Sequence, residues 1–251
     1  IGTASYNMAV DEALLLNFQE GDVPILRLYG WEPSLSLGRF SNVRESLNLE
    51  VVGEKKLSFV RRVTGGGVLV HGGDLSYSLV LPRGAYEGVG VKESYRLLCD
   101  FLLKFYASLG LSAGFACDLG IKSSKSNVCM AANEPYDIIV DGEKVGGNAQ
   151  RYVGKTLFHH GSVPIRLDEE IFKDVFLQES GLKNMATLDK MGNTKTDEEL
   201  SLLLVEAFKE SFSASLFSDA LTPMESRNAD ELLTSKYSQK RWNVDASQNE
   251  A

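Results

Sequence analysis

The stretch that most constrains the fold covers residues 61–81 and reads RRVTGGGVLVHGGDLSYSLVL. It contains three consecutive glycines, Gly65, Gly66 and Gly67, between two segments in which apolar and polar residues alternate as in β-strands. Consecutive glycines weaken a sheet, because they cost backbone entropy and pack no side chain. They make sense where another backbone or a ligand must come close. We therefore expect a loop that holds a carboxylate, a phosphate or a thioester-linked chain, with a simple glycine-rich turn as the alternative.

Charged and titratable side chains flank this loop on both sides. Arg61 and Arg62 precede the glycines, and their guanidinium groups offer positive charge and forked donors. His71 follows and can act as a base or as a hydrogen-bond donor to a substrate. Asp74 either orients His71 or caps the next strand, and the sequence leaves both alternatives open.

Length and charge limit the function classes. A chain of 251 residues fits one large domain, or one domain with a small appendage. The net charge of −8 argues against nucleic acid as the main partner, because binding phosphates requires a basic surface. No stretch of about 20 apolar residues predicts a transmembrane helix, so we expect no membrane association.

Cysteine and histidine usage bears on metals and on the compartment. Cys99, Cys117 and Cys129 lack the regular spacing of a disulfide framework, which favours a reducing cytoplasm. No Cys/His cluster has zinc spacing, so we expect no metal site. Cys99 lies beside an apolar helical stripe and Cys117 in a short apolar run, and we interpret both as structural.

Residue periodicity predicts a mixed α and β chain. Helices are expected over residues 7–18, 92–109, 168–176, 196–212 and 228–237, with Asn7 and Thr196 as capping residues. Strands are expected over residues 25–31, 34–38, 57–63, 75–81, 136–140, 144–153 and 156–163. Asp141-Gly142 is a strong signal for a tight primed turn, so the last three strands should form an antiparallel meander. Residues 246–251 are expected to be disordered.

Several motifs in order carry a family resemblance. RRVTGGGVLVHGGDLSYS, DIIVDGEKVGGNAQ and HHGS, with MAVDEALL near the start and SKYSQKRWN near the end, resemble the biotin/lipoate protein ligase family. The resemblance is narrower to its lipoate ligase and octanoyltransferase branch. It implies an α+β fold with a central, largely antiparallel sheet flanked by helices. It also implies a catalytic acyl-binding core over residues 1–165 and a small helical C-terminal extension over residues 166–251, packed on the core.

The resemblance also implies a chemistry and a set of site residues. Members of this branch join an octanoyl or lipoyl chain to one lysine of a lipoyl domain. Cys129 matches the nucleophile of the cysteine-dependent octanoyltransferases, although some ligases carry a cysteine here and a buried structural role is the alternative. Lys144 is expected to steady negative charge on the acyl carbonyl or on an adenylate phosphate. The expected substrate-binding residues are Arg61, Arg62, Gly65, Gly66, Gly67, His71, Gly147, Asn148, Ala149 and His160.

Three functions remain open at this point. The first is an octanoyltransferase that takes octanoate from acyl carrier protein through a Cys129 thioester and requires no cofactor. The second is a lipoate–protein ligase that requires ATP and Mg²⁺, and the third is a non-catalytic protein that binds lipoyl or octanoyl chains. The acceptor in the first two is a lipoyl domain, that of the glycine cleavage H protein or of a 2-oxoacid dehydrogenase E2. Since these protein partners tend to be acidic, we expect a local basic patch that includes Arg61, Arg62, Lys144 or Arg151.

Overall fold

The structure is a computed structural model that describes residues 1–122, 134–178, 180–182 and 185–245. The helices are α1 (Ala4–Asn17), α2 (Val43–Ser46), α3 (Leu49–Glu54), α4 (Val91–Ser108), α5 (Asp197–Phe212), α6 (Pro223–Leu232) and α7 (Lys240–Asn243). The strands are β1 (Ile25–Tyr29), β2 (Ser34–Leu37), β3 (Ser58–Arg61), β4 (Leu69–His71), β5 (Asp74–Pro82), β6 (Ala113–Phe115), β7 (Ile138–Val140), β8 (Glu143–Lys144), β9 (Gly147–Val153) and β10 (Thr156–Pro164).

The main sheet has four strands in the order β1-β5-β10-β9, and every neighbouring pair is antiparallel. Side chains alternate between its two faces, so each face builds its own core. One face packs against α4 and α5 through residues such as Leu79 and Phe105. The other packs against α1 through residues such as Val80 and Phe158. The predicted α+β fold with a largely antiparallel central sheet flanked by helices is confirmed.

A second sheet carries the glycine loop. Its order is β3-β2-β4, with β2 parallel to β3 and antiparallel to β4. The three glycines lie between β3 and β4, and β4 is an additional short strand inside the segment predicted to connect the strands at residues 57–63 and 75–81. This sheet packs on a third core cluster that includes Leu35, Leu37 and Phe172. The loop is therefore held between two strands with a common buried support.

The predicted meander is divided between two sheets. Asp141 and Gly142 have φ angles of 50° and 85°, which confirms the primed turn between β7 and β8. These two strands belong to a small sheet with β6, whereas β9 and β10 belong to the main sheet. The chain changes sheets at Gly146, where a Cβ atom would lie 2.6 Å from the Ser162 carbonyl oxygen. A glycine is needed there because the backbone passes so close to β10.

Three helix predictions need correction. Helix α1 begins earlier than expected and is capped by Thr3, while Asn7 lies inside it and donates to the Gly30 carbonyl oxygen at 3.1 Å. The helix predicted over residues 168–176 is wrong, because this segment forms successive turns and Asp174 has a φ of 61°. The helix predicted over residues 228–237 begins earlier, because α6 starts at Pro223 with Thr222 in a capping box. The predicted capping box at Thr196 is confirmed.

The last helices rest on the first one. Tyr237 and Trp242 lie in the same core cluster as α1 residues, and Ser5 Oγ donates to the Tyr237 carbonyl oxygen at 3.0 Å. The division into a core over residues 1–165 and an extension over residues 166–251 stays a prediction. The tail predicted to be disordered, residues 246–251, lies outside the described residues. Among the described helices none is both long and apolar enough to cross a bilayer.

Candidate active site

The glycine loop approaches another backbone very closely. A Cβ atom on Gly38 would lie 1.8 Å from the Gly66 carbonyl oxygen, and Gly66 has a φ of 99°. Ser41 Oγ donates to the same carbonyl at 3.0 Å. A Cβ atom on Gly65, by contrast, would meet nothing within 4 Å. The absence of side chains therefore lets the backbones of Gly38 and Gly66 come into contact. Beside Gly65 it leaves open space, where a ligand can approach.

The Arg62 side chain holds this loop through hydrogen bonds to its backbone. Its side chain is buried, with the residue only 3% exposed. One guanidinium nitrogen, Nη1, donates to the carbonyl and hydroxyl oxygens of Ser36 at 2.7 and 2.8 Å. The other, Nη2, donates to the carbonyl oxygens of Gly65 and Gly67 at 3.0 Å each. Arg62 thus fixes the loop conformation through its two forked donors.

Arg61 makes a similar set of contacts on the opposite side. Its guanidinium donates to the carbonyl oxygens of Gly38, Arg39 and Ser41 at 2.8–3.0 Å. It also donates to the carbonyl oxygens of Trp242 and Asn243 at 2.9 and 3.1 Å. We therefore interpret Arg61 as a positioning residue that ties the turn after β2 to α7.

These contacts correct one expectation about charge. Arg61, Arg62 and Lys144 are 1%, 3% and 6% exposed, so they cannot form the surface patch that the sequence suggested. Backbone carbonyl oxygens lie against the two guanidinium groups, and a carboxylate lies against the Lys144 ammonium. Arg151 is half-buried, and its Nη1 donates to the Val63 carbonyl oxygen at 2.9 Å.

His71 belongs to a chain of hydrogen bonds that ends at the glycine loop. Its Nδ1 lies 2.9 Å from Asp74 Oδ2, its Nε2 lies 2.7 Å from Ser36 Oγ, and its ring stacks on Trp31. Ser36 in turn accepts from Arg62, which holds the loop. Ser36 is fully buried, so this chain orients groups and does not expose a nucleophile. The alternative in which Asp74 orients His71 is therefore the one that the geometry supports.

Asp74 stays ionised in this environment. Burial by itself would raise the pKa of the Asp74 carboxyl, but the charge of His71 and hydrogen bonds from His71, Ser162 and the Gly72 amide lower it below its ordinary value. The fixed negative charge favours a proton on the His71 nitrogen that faces it. His71 Nδ1 then donates to Asp74, and Nε2 faces the Ser36 hydroxyl.

A cavity of about 560 Å³ opens beside His71. Its sheet side contains His71, Gly147 and Ser162, and its apolar side includes Leu69 and Phe172. This volume lies in the usual range for small-molecule sites. The segment over residues 168–172, which forms turns, contributes Ile171 and Phe172 to the apolar side and three carboxylates, those of Asp168, Glu169 and Glu170, to the same wall.

Lys144 is paired with a residue that the sequence interpretation missed. Its Nζ lies 2.7 Å from Asp137 Oδ2, and both side chains are 5% exposed. Burial raises the pKa of the Asp137 carboxyl, and the Lys144 charge only partly opposes this. The pair could have been found from the register, since Ile139 is opposite Lys144 and Asp137 is two residues further along the same face.

Adjacent strand residues face opposite sides of the main sheet, as predicted for His159 and His160. His160 Nε2 lies 2.6 Å from Thr64 Oγ1 near the glycine loop, and Ala149 is its strand partner. His159 Nε2 lies 3.1 Å from the Tyr77 hydroxyl on the side of α4. That hydroxyl donates to Asn148 Oδ1 at 2.6 Å. Of the predicted binding residues, Ala149 and His160 therefore face the glycine loop side, and Asn148 faces the other side.

The two cysteines in the described part of the chain have different environments. Cys99 is fully buried in the core, as predicted, and burial raises the pKa of its thiol. Cys117 is exposed, so the prediction that it is structural is wrong; the apolar run around it ends in a surface turn. Cys129 lies outside the described residues. Among the residues that are described, no group of three or more His, Cys, Asp or Glu side chains is placed to hold a metal ion.

Asp137→Asn tests the buried ion pair. If the protein has the acyl transfer activity that the family resemblance implies, we expect this variant to lower its rate by about 10-fold to 100-fold, because the Lys144 ammonium loses the carboxylate that orients it. Lys144→Met should lower transfer at least as much. The check is the steady-state transfer rate of each variant beside its unfolding curve. Glu143→Gln, which changes an exposed carboxylate on the same strand, should leave the rate within about 2-fold of the parent.

The buried histidines predict a loss of stability in acid. Burial lowers the pKa of His159 to about 3, whereas the unfolded chain binds that proton near 6.5. Between these values the unfolded state holds more protons, so stability falls as the pH falls, by about 1.4 kcal/mol per pH unit for His159 alone. Denaturant unfolding at pH 7.5 and 5.0 measures this slope. His159→Gln, which cannot titrate but can still bond Tyr77, should show a shallower slope; parallel curves for variant and parent would contradict the assignment.

Comparisons with known proteins place these observations in a family. The model of the lipoyl protein ligase A/B catalytic domain matches residues 3–217. Two relatives named octanoyltransferase LipM are similar over nearly the whole chain. That of Halalkalibacterium halodurans is 34% identical and covers 95% of this chain and 94% of its own length. That of Bacillus subtilis is 33% identical and covers 96% and 95%.

Solved structures agree in fold. A lipoate-protein ligase A bound with ATP superimposes with a TM-score of 0.82 at 26% identity, covering 95% of this chain and 93% of its own. A putative lipoate protein ligase from T. acidophilum with bound lipoic acid gives 0.83 at 26% identity, covering 97% and 95%. With most of its length matched by the family model and relatives above 30% identity, the chain belongs to the lipoyl protein ligase A/B catalytic domain family.

Proposed function

We propose that this protein transfers an octanoyl group from acyl carrier protein to a lysine of a lipoyl domain through a thioester on Cys129. The observation that carries the proposal is the buried Lys144–Asp137 pair, which lies on the hairpin immediately after the segment that contains Cys129. A cation close to a thiol favours the reactive thiolate, so the proposal requires the fold to bring Cys129 to Lys144. The names of the full-length relatives support the choice of an octanoyl group.

The reaction has two balanced steps. In the first, the Cys129 thiol loses its proton, its thiolate attacks the thioester carbonyl of octanoyl-acyl carrier protein, and the carrier sulfur leaves as a thiolate that takes up that proton. In the second, the neutral amine of the acceptor lysine attacks the Cys129 thioester, an amide forms, and the Cys129 sulfur leaves. The lysine proton is lost to a base or to solvent. Each step passes through an oxyanion, which the Lys144 ammonium can stabilise.

The energetics agree with a reaction that needs no ATP. Exchange between two thioesters is nearly neutral, and the amide product is more stable than a thioester. The acyl group is therefore already activated as a thioester when the donor delivers it. A catalytic thiol also requires a reducing compartment, which supports the cytoplasm as the location of the reaction.

The glycine loop and His71 supply the rest of the proposed site. Arg62 fixes the loop, Gly65 leaves space beside it, and the chain from Asp74 through His71 to Ser36 keeps this side rigid. Rigid positioning of the acyl chain lowers the entropic cost of bringing the carbonyl to the nucleophile. The 560 Å³ cavity beside His71 and Gly147 supplies apolar volume for the chain.

The runner-up function is lipoate–protein ligation that depends on ATP and Mg²⁺. A specific observation favours it: two of the similar solved structures are described as a lipoate-protein ligase A bound with ATP and a putative lipoate protein ligase with bound lipoic acid. In that reaction Lys144 would meet the phosphate of an acyl-adenylate instead of a thioester oxyanion. A non-catalytic acyl-binding protein is the third possibility.

The nucleotide requirement separates these functions. A purified lipoyl domain is incubated with enzyme and octanoyl-acyl carrier protein, or with enzyme, free lipoate, ATP and Mg²⁺, and its mass is measured. We expect octanoylation in the first mixture without ATP. Modification only in the second mixture would replace the proposal by the ligase function. No modification in either mixture, with acyl chains still bound, would favour the non-catalytic protein.

A further inference from the structure

Basic and aromatic side chains gather around Trp242, next to the glycine loop. We call this the Trp242 surface and define it by five residues: Arg39, Phe40, Lys236, Lys240 and Arg241. The Arg39 guanidinium lies 5.4 Å from the Trp242 ring and Lys236 Nζ lies 4.0 Å from it. Lys240 and Arg241 are exposed on α7. A chain with a net charge of −8 thus has a local concentration of positive charge.

Two acidic groups lie close to this surface among the described residues. Glu12 lies 2.8 Å from Lys236 Nζ, and Asp245 lies 3.6 Å from a nitrogen of Arg44. Burial lowers the pKa of the Arg151 guanidinium and the charge of Arg39 lowers it further, so Arg151 lies close enough to Arg39 to extend the basic surface. The basic character of the surface therefore does not depend on any single residue.

The Trp242 surface is joined rigidly to the glycine loop. The Arg39 amide donates to the Thr64 carbonyl oxygen at 2.7 Å, and Ser41 Oγ donates to Gly66. The buried Arg61 guanidinium holds the carbonyl oxygens of Arg39 and Trp242 together. A partner bound here would be positioned directly beside the loop.

Phe40 is an aromatic side chain that this surface presents to solvent. It is 86% exposed at the tip of this rigid turn, with the Arg39 guanidinium 5.9 Å from its ring. Interfaces between proteins are enriched in aromatic residues and arginine relative to the rest of the surface. An exposed phenylalanine beside an arginine is thus suited to an acidic protein partner with an apolar spot.

We propose that the Trp242 surface is the docking site for the acidic carrier protein that delivers the octanoyl thioester. This inference rests on the proposed function. The donor presents its acyl group on an arm that contains a phosphodiester, and both that phosphate and an acidic protein face complement guanidinium and ammonium groups. The acceptor is a less suitable occupant, because its target lysine is itself cationic before it reacts. Since the whole chain repels an acidic partner, local attraction is needed for fast encounter.

The experiment compares a protein-bound donor with a small one. The charge-reversed double variant Arg39→Glu/Lys240→Glu is mixed with octanoyl-acyl carrier protein or with octanoyl-pantetheine, and the rate of acyl-enzyme formation is measured. We expect a decrease of about 10-fold or more with the carrier protein at low salt, and less than about 2-fold with octanoyl-pantetheine. Phe40→Ala should raise the KM for the carrier protein alone. The matched control, Lys104→Glu/Lys209→Glu on α4 and α5, changes the net charge equally and should leave both rates unchanged.

Several results would overturn the docking site. They are an unchanged rate with the carrier protein, equal decreases with both donors, or a decrease confined to transfer from preformed acyl-enzyme to the lipoyl domain. The last result would assign the surface to the acceptor. Acylation of the parent protein by octanoyl-pantetheine tests the proposed function separately, since that donor needs no docking site. If it fails, direct binding of the carrier protein to the parent and the double variant still decides whether the surface docks an acidic protein.

Discussion

Replacing Cys129 by alanine is expected to lower octanoyl transfer by about 10³-fold or more. Without the thiol the acyl group has no atom of the enzyme to which it can be covalently attached. The acceptor amine would then have to attack the carrier thioester directly. Losing a nucleophile commonly removes several orders of magnitude in kcat. The measurement is the initial rate of lipoyl domain octanoylation with octanoyl-acyl carrier protein as donor.

The chain supplies its own control for this variant. Cys117 is an exposed thiol outside the site, so Cys117→Ala should keep the full rate. Cys99 is buried and its thiol has a raised pKa, so it cannot replace the nucleophile. Residual activity within about 10-fold of the parent in Cys129→Ala would contradict the thioester route.

Replacing Arg61 by methionine is expected to lower the free energy of unfolding by about 3–5 kcal/mol. Five backbone carbonyl oxygens, those of residues 38, 39, 41, 242 and 243, accept hydrogen bonds from this guanidinium. Methionine fills a similar volume but donates no hydrogen bond, and each unsatisfied buried acceptor costs about 1–3 kcal/mol before relaxation. Denaturant unfolding measures the loss.

A surface arginine is the matched control. Arg96 pairs with Asp118, but the two side chains are 41% and 45% exposed, so Arg96→Met should cost about 1 kcal/mol or less. Arg61→Lys should recover only part of the stability, because an ammonium has three donors and cannot reproduce the planar fork. A loss below about 1 kcal/mol in Arg61→Met would show that this cluster does not hold the turn and α7 together.

The glycine loop shows how far sequence alone can go. Alternation on either side predicted strands over residues 57–63 and 75–81 with a loop between them, and β3 and β5 are found there, whereas β4 lies inside the predicted loop. The reason for three glycines was only half predictable. Sequence indicates that something approaches closely, but the approaching backbone belongs to Gly38, about 30 residues earlier in the chain. Such a contact depends on how β2 lies between β3 and β4, which local patterns do not encode.

The roles of Arg61 and Arg62 could not be predicted from the local sequence. A pair of arginines beside a glycine loop suggests a ligand, because most arginines are exposed and charged groups in contact with solvent bind anions. Arg61 and Arg62 are instead buried against carbonyl oxygens of the loop and of α7. The carbonyls at residues 242 and 243 lie 181 and 182 positions away, so no spacing rule identifies them.

The contact of Lys144 was partly predictable. Its approach to Asp137 follows from the two-residue primed turn, which fixes the register of β7 and β8.

The helix predicted over residues 168–176 is wrong for a different reason, since the apolar residues of this segment line a cavity wall and the third core cluster. Tertiary burial there prevails over local helical spacing.

The most direct test of the Cys129 thioester is intact mass spectrometry of the protein after mixing with octanoyl-acyl carrier protein without ATP. We predict a mass increase of one octanoyl group that disappears on treatment with hydroxylamine and is absent in Cys129→Ala. An unmodified mass in the parent protein, together with lipoyl transfer that appears only when ATP and Mg²⁺ are added, would contradict the thioester mechanism.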